Sequence, residues 1–248
     1  MVKGLELFKE YFKDYTDQYV LIGGTACDVN FEVNASTFRA TKDLDMVLIV
    51  EALTPEFAKS LWQFIKEGNY RNKAKNDGSP QFYRFDKPED DRFPKMIELF
   101  GRTEFNLAEI NDITPIHIDD DISSLSAILL NEDYYRCLLK GKTIENGLSI
   151  LRPEYLILFK AKAHMDLKAR KEAGEKVKSG DITKHHKDVL RLKAEMVLNR
   201  VDDIPITVRN DMKGFIDGPK ENPYNMDVLE SYGLSNEEVR DRLIEIYL

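Results

Sequence analysis

The 248 residues, 42% of them hydrophobic, suffice for one large or two modest cores, and no apolar run approaches the roughly 20 residues that a membrane-spanning helix needs. A net charge of −8 excludes a surface coated for indiscriminate nucleic-acid binding. Met1–Lys9 is amphipathic and charged, without a signal-peptide core, and the distant Cys27 and Cys137 have no metal-ligand spacing, which predicts free thiols in a reducing cytoplasm.

Leu5, Leu7, Phe8, Tyr11, Phe12 and Tyr15 recur at the helical period, predicting a helix packed against a sheet that Tyr19–Ile22 begins. Gly23-Gly24-Thr25 then turns the chain into a helix over Thr25–Val33. Paired glycines let a backbone approach a ligand closely, and the start of a helix offers N–H groups to a phosphate. After a loop at Asn34–Thr41 comes a strand, Leu44–Val50, whose leading edge carries Asp43 and Asp45. Residues i and i+2 of a strand share a face, so both carboxylates can meet one cation. Two neighbouring acids repel each other, and a divalent ion relieves that repulsion; hard oxygen ligands with a phosphate nearby favour Mg²⁺. Arg39 either contacts phosphate or pairs with Asp43.

Thr54-Pro55-Glu56 starts a helix that runs over Phe57–Gly68. Tyr70–Lys75 is a polar strand or loop, Asn76–Pro80 a turn, Gln81–Phe85 a strand and Lys87–Asp91 an acidic turn. In the next strand, Lys95–Phe100, Met96, Glu98 and Phe100 take one face and Ile97 and Leu99 the other, which leaves one acid in an apolar setting. The cluster Asp119-Asp120-Asp121 serves either a metal or the N-terminus of a short helix at Ser123–Leu130. Leu138–Ile150 has the turn chemistry of a hairpin.

Pro153 ends that hairpin, and Tyr155–Leu167 forms a long helix, so the domain boundary is placed near 150–153. Lys168–Gly180 is charged, with Gly174 and Gly180 interrupting it, and Asp181–Leu192 is a further helix. Its neighbours His185 and His186 point roughly 100° apart, which disfavours joint chelation of one ion. Between Lys160 and Glu195 stand eleven Lys/Arg against six Asp/Glu, a basic patch on an acidic body. Ile204-Pro205 and Gly214–Pro223 read as loops, and Ser235 caps an amphipathic terminal helix.

Gly23-Gly24-Thr25-Ala26 followed by Arg39-x-Thr41-x-Asp43-Leu44-Asp45 resembles the opening of the nucleotidyltransferase superfamily, the polymerase-beta-like fold, and within it the AbiEii-type abortive-infection toxins. The resemblance runs, with gaps, from Tyr19 to Leu192. It implies an α+β protein: a mixed β-sheet flanked by helices over 1–152, then a mainly α-helical domain over 153–248. It implies Mg²⁺ on Asp43 and Asp45, with Glu98 as third ligand or as base, and a nucleotide held by Gly23, Gly24, Thr25, Arg39 and Thr41. In the second half, Pro153 through Lys160 and Lys162, followed by Lys184-His185-x-x-Asp188, looks like the family's phosphate-binding lysine and helical acid. Lys184-His185 stands where the family has Arg-Asp, which keeps Asp181 open as an alternative to Asp188. The implied activity moves a nucleoside monophosphate from a nucleoside triphosphate to an acceptor hydroxyl. Implied partners are tRNA as acceptor and a cognate antitoxin, in the cytoplasm and without a membrane. The rival expectation is a catalytically degenerate protein of the same fold that binds a nucleotide or a partner.

Overall fold

The computed structural model describes residues 2–74, 80–101, 128, 131–218 and 226–248. All but Pro80 of the turn expected at Asn76–Pro80, the cluster Asp119–Asp121 and all but Ile128 of the helix expected at 123–130 lie outside them. The chain divides into two compact units, one of residues up to Leu130 with Lys142–Arg152, the other of Asn131–Gly141 with Pro153–Leu248.

Among the described residues of the first unit, seven strands form one mixed sheet. They are β1 (Tyr19–Leu21), β2 (Asp43–Leu48), β3 (Arg71–Ala74), β4 (Pro80–Asp86), β5 (Met96–Phe100), β6 (Lys142–Glu145) and β7 (Leu148–Leu151), ordered β3-β4-β5-β2-β1-β7-β6. β1 pairs antiparallel with β2 and parallel with β7, so it is central, and Tyr19, Val20 and Leu21 are all buried. A strand covered on both faces has no use for polar alternation. β2 pairs parallel with β5, placing Asp43 opposite Met96 and Asp45 opposite Glu98. On β5, Ile97 and Leu99 are buried while Met96, Glu98 and Phe100 are half-buried, the division that the alternation predicts.

Helix α1 (Leu5–Phe12) packs on α3 (Pro55–Glu67) through aromatic rings, with Phe8 and Phe12 stacked at 4.5 Å and Phe64 edge-on to Phe12 at 5.5 Å. The start expected for α3 is present: Pro55 opens the helix, and the Thr54 hydroxyl accepts from Phe57 N at 3.3 Å. The hairpin β6–β7 turns on Asn146 and Gly147, both at positive φ (52° and 79°), the backbone of a type I′ turn. It is narrower than expected, because Leu138–Gly141 finish helix α4 (Glu132–Gly141).

The second unit contains α4, α5 (Pro153–Glu172), α6 (Ser179–Glu195), α7 (Ile206–Ile216), α8 (Met226–Tyr232) and α9 (Asn236–Tyr247). Two expectations change here. A single boundary near 150–153 would leave α4 in the first unit, yet α4 packs on α5 and α7. Its Tyr134 ring lies 5.5 Å from Phe159, and its hydroxyl donates to Asp211 Oδ2 at 3.0 Å. Gly214 lies in a helix rather than a loop, because Val208, Met212 and Phe215 bury one helical face. The capping box expected at Ser235 forms with Glu238. Among the described residues no helix is long and apolar enough to cross a membrane.

His164 and His186 stack at 4.9 Å, and both meet the Phe215 ring near 5.8 Å. Burial, and after it the neighbouring His164 and Lys168, lowers the pKa of His186 from 6.5 to about 4, and burial lowers that of His164 as well. A depressed folded-state pKa means that the unfolded chain takes up the proton first as pH falls, so stability drops with acidity. His186 alone should remove about 3 kcal/mol as pH falls from 6.5 towards 4. Urea melts across that range should show a falling midpoint that His186→Phe flattens; an equal fall in the variant would contradict this.

Candidate active site

The turn that leaves β1 lies against the leading edge of β2, because the two strands run antiparallel. Ile22 N donates to Asp45 O at 3.0 Å. Gly23, the next residue, has φ +62°, and a Cβ on it would stand 2.0 Å from Asp45 Oδ2 and 3.0 Å from Asp45 Cγ. A Cβ on Gly24 would stand 2.4 Å from Thr41 Oγ1 and 3.0 Å from Thr41 Cβ. The buried Thr25 donates its hydroxyl to Asp43 O at 2.7 Å. Gly23, Gly24 and Thr25 are thus laid, in turn, against Asp45, Thr41 and Asp43. Only glycine permits the first two contacts: Gly23 needs both the left-handed backbone and the missing Cβ, and Gly24 needs the missing Cβ.

These residues also begin α2 (Gly23–Val33), in which Ala26 N bonds back to Ile22 O at 3.2 Å. The N–H groups at the start of a helix have no acceptor within it and carry the positive end of its dipole. The half-buried Asp43 and Asp45 share one face of β2 beside that end. Hard carboxylate oxygens next to a glycine-lined backbone suit Mg²⁺ with a phosphate.

Glu98 shares the face of Asp45 by register, but its Oε1 is engaged by Nε and Nη2 of Arg84, its cross-strand partner on β4. Among the described residues, no three His, Cys, Asp or Glu side chains come together in a way that could hold a metal ion. The expected trio of Asp43, Asp45 and Glu98 is therefore two acids plus a third tied to a guanidinium. Arg84 was not among the residues expected at the site. Local sequence holds no signal for it, because only the β4–β5 register brings it there. Arg39 places its guanidinium 4.9 Å from the Phe38 ring centroid, and Phe38 packs on Phe31 at 5.0 Å.

The candidate residues of the second half sit within the helical unit. Lys160 Nζ lies 2.8 Å from Asp188 Oδ2, with both side chains buried, and Arg191 Nη1 lies 3.6 Å from Asp188 Oδ1. Lys162 bridges Asp166 and Asp211 at 3.3 and 3.2 Å. Burial opposes its charge, but those two carboxylates outweigh it and raise its pKa. Asp181 is exposed in the first turn of α6. Much of the basic segment is therefore matched with acids locally, by these pairs and by Lys168 with Glu172 and Arg170 with Glu175.

No family model matches this chain, and no curated protein does. The chain is similar to a solved structure. That is the crystal structure of an antigenic nucleotidyltransferase-like protein from Paracoccidioides brasiliensis, at 14% identity over 93% of each chain, with a TM-score of 0.44. What the chain can do chemically follows from its own side chains.

Proposed function

We propose that this protein is a Mg²⁺-dependent nucleotidyltransferase. The observation that carries the reading is the seating of Gly23 on the Asp45 carboxylate, with Gly24 on Thr41 and Thr25 on Asp43. It brings a glycine turn at the start of a helix and two cation ligands together at the leading end of β2. Asp43 and Asp45 would hold Mg²⁺, which when bound supplies charge neutralisation on the phosphate oxygens. The N–H groups at the start of α2 would orient the β- and γ-phosphates. An acceptor hydroxyl oxygen then attacks the α-phosphorus, the bond to the β-phosphate oxygen breaks, and pyrophosphate leaves. Glu98 would be the base that takes the hydroxyl proton, a role supported by its register beside Asp45. Positioning and fixed charge supply most of the rate.

The acceptor we favour is an RNA hydroxyl, tRNA first, with a cognate antitoxin as protein partner; the motif resemblance is what supports this choice. Lys160 and Asp188 we assign to holding α5 on α6, since each buries its charge against the other. Incubation with Mg²⁺, total RNA and each labelled nucleoside triphosphate in turn tests the activity. Label should transfer with at least one nucleotide and fall about a hundredfold or more in Asp45→Asn. No transfer by wild type with any nucleotide would sink the reading.

The engagement of Glu98 by Arg84 favours a second reading, a degenerate protein that binds nucleotide without transferring it. In that case calorimetry would detect triphosphate binding while the labelling experiment stays blank.

A further inference from the structure

Asp45 on β2, Glu98 on β5 and Arg84 on β4 stand opposite one another across three adjacent strands. Directly paired residues project to the same side of a sheet, so the row reads acid, acid, base along one face. Asp43 lies two residues from Asp45, so three acids share that face. Carboxylates repel one another as they approach, and a cation is the relief. In the chain as it stands, the guanidinium of Arg84 is that cation for Glu98. The pair is not sealed in the core, since the side chains are 31% and 20% exposed, so solvent and small ions can reach it.

We infer that Arg84 is a counter-ion lock: it holds Glu98 out of the carboxylate set, so that a divalent cation meets only Asp43 and Asp45 until Arg84 lets go. The inference rests on the reading of Asp43 and Asp45 as cation ligands and adds regulation of that site. A phosphate oxygen is the natural competitor for a guanidinium, because Arg binds carboxylate and phosphate through the same planar fork. An incoming triphosphate would thereby release Glu98 as it arrives, and the carboxylate set completes itself only with substrate present. The device keeps a strongly acidic edge from loading stray cations when no nucleotide is there.

Mn²⁺ titration of the full chain, followed by the paramagnetic resonance of free Mn²⁺, tests this without any turnover. Arg84→Met should tighten Mn²⁺ binding about tenfold, within the ordinary range of coupling between sites. Glu98→Gln alone should leave the wild-type affinity within about twofold, since a locked Glu98 contributes little. The double variant should return to the Glu98→Gln value. An affinity in Arg84→Met equal to wild type overturns the lock, and so does a gain that persists in the double variant, which would mean only a long-range charge effect. Should Arg84→Met fold poorly by circular dichroism, the Glu98→Gln titration decides: a clear loss of Mn²⁺ affinity there means Glu98 is already a ligand and no lock exists. Binding that Asp45→Asn abolishes while Arg84→Met leaves it unchanged removes the lock but spares the proposed activity. Absence of Mn²⁺ binding in every form removes both.

Discussion

Gly23→Ala should abolish nucleoside triphosphate binding and destabilise the first unit, with the folded chain losing at least 1–2 kcal/mol, roughly the cost of left-handed backbone for a residue with a Cβ. The added methyl would stand 2.0 Å from Asp45 Oδ2, so either the carboxylate or the start of α2 must move. Both movements dismantle the contact between the glycine turn and the acidic edge. Gly174→Ala is the matched control. Its φ is +91° and nothing lies within 4 Å of the added atom, so it should show the backbone cost alone and keep nucleotide binding. Calorimetry with a non-hydrolysable triphosphate, beside thermal melts of both variants, makes the comparison. Equal behaviour of the two would mean that the Gly23–Asp45 seat has no role in binding.

Asp188→Leu is expected to destabilise the helical unit by about 3–5 kcal/mol, because it leaves the ammonium of Lys160 in the interior without its carboxylate. Lys160→Met should cost less, since Arg191 remains 3.6 Å from Asp188. The double variant Lys160→Met/Asp188→Leu should recover most of the loss, as buried ion pairs are often replaceable by apolar residues of similar size. Chemical denaturation of the three variants measures the cycle. The opposite pattern, wild-type stability in Lys160→Met together with lost triphosphate binding, would return Lys160 to the phosphate role that the motif resemblance implies.

The glycine turn illustrates what can be read locally. Gly23-Gly24 before a helix and two acids at i and i+2 of a strand each have a physical reason within a few residues, and the structure seats them together. Ser235 with Glu238, and Thr54 before Pro55, are legible for the same reason, since a helix cap is settled within one turn. Helix α4 was not legible as part of the helical unit, because nothing local tells Tyr134 that its ring will meet Phe159 and its hydroxyl Asp211. Helix α7 was missed although Val208, Met212 and Phe215 keep the helical period, a signal hidden by the glycine at 214.

By itself, then, the sequence determined the turn, the helix caps, the alternation on β2 and β5 and the pairing of Asp43 with Asp45 on one face, because each depends on bond geometry over a few residues. Only the tertiary structure decided that Glu98 faces Arg84, that Thr25 spends its hydroxyl on Asp43 O and that Lys160 is buried against Asp188. Those partners lie 14 to 28 residues apart, and strand register and helix packing choose them. A slip of one residue in the β4–β5 register would turn Arg84 to the opposite face, and no local rule forbids it.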